Sequence, residues 1–255
     1  MRPRFQPALI PAVILLAARL AGAQSTTEHL ALGDREYAAM NATAALAHYQ
    51  AAAQAAPSAE ALWKVARSEV DLGEFERDEA KRNAYFKTGE EYARRAVAAN
   101  PGDAEAHFQL ARAIGRTALT KGPRDRVKYG KEVRAEALQA LKLDPRHPGA
   151  LHVLGVWNAE IMRLNGPSRW FAKTFLGGSV FNEASWDNAV RYMQQSVEVD
   201  PKRVVHHLDL AKIYRDRGDK TRARAEFEEV LRLPATDYND RFYKDEASAA
   251  LKNLG

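Results

Sequence analysis

The sequence contains no cysteine. That excludes disulfide scaffolds, thiolate zinc sites, thiol nucleophiles and lipid attachment through sulfur. It has little excess charge: 38 Lys and Arg face 33 Asp and Glu, a formal +5. It carries no HExxH pair, no GxSxG elbow and no phosphate-cradling glycine loop. No carboxylate pair stands out as acid and base, because Glu90-Glu91 and Glu228-Glu229 fall on polar helix stripes. His206 and His207 are adjacent, so on a helix they point about 100° apart. His206 and Asp209 share a face, but no third ligand follows them. The chain is therefore expected to be no enzyme and to need no metal or cofactor.

What is abundant is alanine, 47 of 255 residues. Alanine loses the least side-chain entropy in a helix, so an all-helical fold is expected. A hydrophobic content of 46% is enough for a packed core.

The N-terminus reads as a secretory signal peptide over residues 1–23. Arg2 and Arg4 make a positive start, Pro7 to Ala18 is apolar, and Ala21-Gly22-Ala23 is a small-x-small cleavage site before Gln24. The uncharged run Phe5–Ala18 is shorter than the ~20 residues needed to span a bilayer. The competing reading is an uncleaved anchor with Arg19 at the membrane interface. On the first reading the protein is exported, periplasmic or secreted. The leader holds Arg2, Arg4 and Arg19 and no acid, so cleavage lowers the charge from +5 to +2. The global argument for a nucleic-acid partner goes with it.

Five segments end in similar proline turns, at Pro57, Pro101, Pro145, Pro201 and Pro234. Their spacings are 44, 44, 56 and 33 residues. The last is essentially the tetratricopeptide period of 34, and the others are that period plus insertions. In the last unit, Leu210, Ala211, Tyr214, Gly218, Ala223, Phe227 and Val230 occupy the positions of the repeat pattern. The first unit fits with Leu32-Gly33, Ala45, Tyr49, Ala52 and Pro57. Small residues belong where paired helices approach closely, and large ones fill the gap to the next repeat. The fold class is thus all-α: a tetratricopeptide-like α-α superhelix, or solenoid, with elongated helices and insertions. One repeat domain is expected over residues 24–255, with units at about 26–57, 58–101, 102–145, 146–201 and 202–235. A capping helix over 238–255 covers the open face of the last unit. The ten extra residues of units two and three are expected to lengthen both of their helices by ~7 Å each. Residues 74–100 read as continuing helix, with Tyr85, Gly89, Tyr92, Ala96 and Ala99 on one stripe.

The sequence resembles one tetratricopeptide branch, the regulator of microtubule dynamics family. The resemblance rests on Trp63-Lys64-Val65-Ala66-Arg67, on NPGDAEAHFQLARAIG and on LDPRHPGALHVLGVWNAEI. It continues through RWFAKTFLGG and ASWDNAVRYMQQSVEVDP, covering about Ala61 to Leu233. It implies a non-enzymatic helical module, with family roles in microtubule association, organelle tethering and phospholipid binding or transfer. Those relatives work on the cytosolic side of membranes, whereas this chain carries an export signal. The fold transfers; microtubules and organelle contact do not.

Tetratricopeptide solenoids bind ligands in the groove lined by their first helices. By repeat phase the groove-facing residues are Lys64 and Ser68, then Phe108, Arg112 and Arg116, then His152 and Val156, then Leu208, Lys212 and Arg215. Five of these ten are cationic. That mixture suits an acidic peptide, a terminal carboxylate or an acidic phospholipid. The plain alternative is a solvated face with ordinary ion pairs to Asp71, Glu160 and Asp216. Reversing Arg112 and Arg116 to Glu is expected to abolish capture and leave helicity unchanged. Trp170, Phe171 and Phe175 form an aromatic stretch that is a peripheral membrane foot, a flap over the groove, or simply packing against long helices. The basic run Lys121–Lys128 reads as a solvated loop and helix start. The expected partner is a protein or peptide held in the concave groove; the alternative is a phospholipid-binding module.

Overall fold

A computed structural model of the chain describes residues 25–164 and 182–254. Residues 1–23, read above as a leader, and the Trp170–Phe175 stretch lie outside them. The described chain is all-helical, and its helices pair in sequence order. The first pair is α1 (25–38) and α2 (Ala42–Ala55). The second is α3 (Ala59–Glu74) and α4 (Glu79–Ala99), the third α5 (Ala104–Leu119) and α6 (Pro123–Leu143). Then come α7 (Pro148–Arg163) and α8 (Trp186–Val199), and α9 (Val204–Asp216) and α10 (Lys220–Arg232). A last helix, α11 (Asp240–Lys252), follows. Each pair packs on itself and on the next, which is the nearest-neighbour order of a solenoid.

Local chemistry sets the boundaries. Asn41, Ser58, Asp78, Asp103, Ser185 and Asp219 each accept a backbone N–H in the first turn of the helix that follows. Pro57, Pro101, Pro145, Pro201 and Pro234 each lie just past a helix end. Gly218 has φ +81°, a left-handed turn between α9 and α10 that only glycine enters freely. The repeat-pattern residues Ala45, Tyr49, Ala52, Leu210, Ala211, Tyr214, Ala223, Phe227 and Val230 are all buried. A Cβ on Gly155 would sit 2.5 Å from Met193 Cγ, so glycine is what lets α7 approach α8.

The inserted residues are not shared evenly. The helices α3 and α5 have 16 residues and α4 and α6 have 21, against 13 in α9 and α10. The second helix of each long hairpin therefore gains eight residues, ~12 Å, and the first gains three, ~4.5 Å. The breakpoints explain this. Asp78 caps α4 early, and Pro123 fixes the first turn of α6. For the same reason residues 74–100 are not one helix: the chain turns at 75–78. The buried stripe of α4 is Phe86, Gly89, Ala93 and Ala96. Tyr85 and Tyr92 are half-buried and Ala99 is exposed, so they flank the buried stripe rather than lead it.

The core is a series of clusters along the solenoid. One gathers Tyr49, Leu62 and Val65, the next Val70, Leu110 and Ile114, and the last Leu208, Ile213, Phe227 and Tyr243. Tyr243 belongs to α11, so the final helix closes the last cluster as a solenoid cap does.

Candidate functional site

The first helices α3, α5, α7 and α9 do carry the groove residues, but most of those residues are already engaged. Lys64 is buried; its Nζ lies 2.7 Å from Asp34 and 2.8 Å from Glu60. Burial alone would raise the Asp34 carboxyl, but the bonds from Lys64 and Tyr49 hold it below its usual range. Ser68 is fully buried, and its Oγ has no hydrogen-bond partner among the described residues. Phe108 is half-buried with its ring 4.9 Å from that of His147. Leu208 is core, and Val156 packs against the same cluster.

The cations of α5 meet the acids of α3. Arg112 Nη2 is 2.5 Å from Asp71 and 3.4 Å from Glu74. Arg116 pairs with Glu74. The Asp71 and Glu74 side chains are 1% and 7% exposed, so these are interior ion pairs. Burial lifts the Asp71 carboxyl above its ordinary value even beside Arg112. Reversing Arg112 and Arg116 would therefore set new carboxylates against two buried ones. Such a variant is expected to lose stability, which sets the buried pairs against the expectation of unchanged helicity.

A second polar node joins α7 and α9. His152 Nε2 is 2.8 Å from Asp209, and Lys212 lies 3.2 Å from Asp209 and 2.8 Å from Glu246 of α11. Burial would raise the Asp209 carboxyl, but Lys212 and His152 overcome it and hold it far below the usual range. The His152 and His206 rings are 5.1 Å apart. Burial and the neighbouring His152 push His206 well below an ordinary histidine. Arg215 is the most exposed of the predicted cations and turns to Asp216.

The feature that the sequence does not announce is a segment that packs against the ends of α1 and α3. Asp237 and Asn239, just ahead of α11, reach the first two hairpins. The Asp237 carboxylate lies 2.7 Å from Arg203 and 3.2 Å from the Tyr37 hydroxyl, which is also 3.0 Å from Asp71. Burial would raise Asp237, but Arg203 and Arg112 bring it below its usual value. Asn239 Nδ2 donates to the main-chain oxygen of Asp71 at 3.1 Å. Tyr243 donates to Glu74 at 2.9 Å. Phe242 stacks on Phe75 with ring centroids 4.4 Å apart, and Tyr243 meets the same ring edge-on at 5.5 Å. Residues 237–243 thus pack not only on the last unit but also on Tyr37 of α1 and on the end of α3.

Two histidines share a bracing role. His107 spans Glu136 (2.6 Å) and the Pro101 carbonyl (3.0 Å). His207 spans Glu226 (2.7 Å) and the Pro201 carbonyl (2.9 Å). Each ties the two helices of its hairpin to the proline turn before it. The shared Pro-to-His spacing of six residues was a readable signal for this pairing.

A polar cleft of about 260 Å³ opens where the inserted residues of α4 meet the α5–α6 connection; Glu74, Arg82, Asn83, Phe86, Arg116 and Lys121 line it. From the basic run, Arg126 turns back to the carbonyls of Leu119 and Lys121, each at 2.9 Å. It closes the end of α5.

Comparison with known proteins adds a family. The profile described as "Regulator of microtubule dynamics protein 1-3" matches residues 25–255. Regulator of microtubule dynamics protein 3 of Mus musculus is 24% identical over 72% of this chain and 39% of its own length. Regulator of microtubule dynamics protein 1 of Bos taurus is 25% identical over 77% of this chain and 62% of its own. The chain thus spans less than two thirds of the length of these relatives. Among solved structures, a thermophilic TPR protein of Thermus thermophilus superposes with TM-score 0.61 at 20% identity, over 88% of this chain and 99% of that one. PilF of Pseudomonas aeruginosa gives TM-score 0.53 at 14% identity, over 92% and 93%. These likenesses establish the tetratricopeptide fold.

Proposed function

The chain belongs to the regulator of microtubule dynamics family, and from that premise we propose that it is a non-catalytic scaffold that captures a protein or peptide partner on its concave face. One observation carries the reading. The concave wall already grips a peptide segment, residues 237–243, through a carboxylate–arginine pair, a side-chain bond to a main-chain carbonyl and an aromatic stack. Those are the means by which helical-repeat grooves hold peptides. The partner reaches the wall at the exposed rim near Arg215. Export is part of the proposal: mature protein begins at Gln24 and is recovered outside the cytoplasm.

A photo-crosslinking residue at Arg215, compared with one at Lys87 on the outer side of α4, tests the capture. A defined protein adduct is expected from the groove position and none from Lys87. Equal, diffuse labelling at both would sink the reading. Native mass spectrometry of the same preparation separates a phospholipid occupant, which would appear as a co-purified mass. N-terminal sequencing settles whether Gln24 is the first residue.

A further inference from the structure

We infer that the concave wall is a recognition site occupied in cis by the protein's own residues 237–243, and that its partner in trans is a helix-leading segment of the same chemistry. That chemistry is a carboxylate and an amide two residues apart, followed by a helix whose first turn carries two adjacent aromatics. The inference rests on the scaffold reading above and names the partner that such a scaffold takes.

The wall supplies a complementary group for each feature. Arg203 and the Tyr37 hydroxyl receive the Asp237 carboxylate. The Asp71 carbonyl receives the Asn239 amide. That carbonyl is among the last four of α3, which have no intrahelical donor, and the Phe75 N–H turns to Gly73 instead. Glu74 receives the Tyr243 hydroxyl, and the Phe75 ring receives Phe242. These partners lie between 167 and 200 residues apart in sequence, except for Arg203. They join the segment to hairpins far from it in sequence rather than to the neighbouring repeat.

The occupant also has local bonds of its own and a non-helical connection ahead of it. Residues 234–236 connect it to α10 and are non-helical. Asp240 Oδ2 accepts the N–H groups of Thr236 and Asp237 at 2.8 Å each, so the turn ahead of α11 is closed by the segment's own side chain. The cis fit is incomplete: Asn239 Oδ1 and Asp240 Oδ1 are buried with no hydrogen-bond partner among the described residues. A buried acceptor left unpaired weakens the hold on it. Both atoms belong to the resident segment, so release of that segment lets water satisfy them and lowers the cost of its displacement by a trans segment.

The test uses the full chain and a fluorescein-labelled synthetic peptide of residues 234–254. In the chain, Asp237→Ala with Asn239→Ala removes two anchors of the resident segment, so that it yields the wall to a competitor more readily. This variant is expected to bind the peptide at least tenfold more tightly than the unaltered chain. A peptide carrying the same two alanines should not bind, and Arg203→Ala in the variant chain should remove binding. Equal affinity of both chains, or equal binding of both peptides, overturns the inference. Hydrogen exchange on the unaltered chain gives an independent reading. Amides of α11 should exchange before those of α5 and α9; exchange only with global unfolding overturns cis displacement. Failure of either test leaves the scaffold reading standing on its own crosslinking result.

Discussion

Arg112→Met is the perturbation whose consequence can be worked furthest. Arg112 lies 2.5 Å from Asp71, whose side chain is 1% exposed, and 3.4 Å from Glu74, which is 7% exposed. Methionine keeps much of the volume and removes the charge. Breaking one side of a buried pair costs about 3–5 kcal/mol, because the remaining charge stays desolvated. Asp71 keeps the Tyr37 hydroxyl, and Glu74 keeps Arg116 and Tyr243. The cost should therefore lie near the lower end, about 3 kcal/mol. For a chain of this size that lowers Tm by about 6–12 °C. The deficit should depend on pH. Asp71 already sits above its ordinary value, and losing Arg112 raises it further. Its ionised form is then the costly one, so the deficit is full above the raised pKa and shrinks as falling pH protonates the group. Thermal unfolding followed by circular dichroism at pH 8 and pH 5 measures both effects. Asp71→Asn in the same chain should recover part of the loss at pH 8. A drop under 2 °C, or one identical at the two pH values, would refute the view that these pairs hold the concave wall as interior structure.

Two further outcomes follow from single groups. Burial raises Glu69 to about 7, against the opposing bond from Gln50. Ionising it costs the fold above pH 7 and nothing below 4.5. Glu69→Gln should therefore stabilise the protein by about 1–2 kcal/mol at pH 8, after allowing for partial solvent screening, and by nothing at pH 4.5; chemical denaturation at both values decides it. His207 behaves oppositely. Burial lowers it, but Glu226 and the Pro201 carbonyl more than offset this and raise it above 6.5. Its stabilisation is present below pH 6.5 and lost as pH rises through the folded value. His207→Gln should accordingly cost more Tm at pH 5.5 than at pH 8.5, and a pH-independent cost would remove the brace from the account.

Much of the fold was legible because its determinants are local. Prolines just past helix ends, polar caps and small residues at helix contacts act over a few positions, so Gly218, Asp219 and Tyr49 could be placed from sequence. The uneven sharing of the insertions was less legible, since it depends on where Asp78 and Pro123 restart helices. The groove was legible as a face and not as a site. Repeat phase put Arg112, Arg116 and Lys212 on the first helices. Proximity in the repeat also offered Asp71 and Asp216 as ion-pair partners, which Arg112 and Arg215 do meet, but it did not reveal the roles of Glu74 and Asp209. Least readable was the meeting of Asp237, Asn239 and Phe242 with Tyr37, Asp71 and Phe75. Those partners lie 167 to 200 positions apart, and no short-range pattern encodes such a meeting.

The central claim is that residues near the C-terminus cover the concave wall of the first hairpins. The chain has no cysteine, so Phe75→Cys with Phe242→Cys creates one addressable pair where two rings now stack at 4.4 Å. Dilute protein treated with a short bismaleimide is then digested and analysed by mass spectrometry. Efficient intramolecular linkage of positions 75 and 242, unchanged on further dilution, is the predicted result. Linkage that vanishes on dilution, or singly modified cysteines alone in a folded chain, would contradict it.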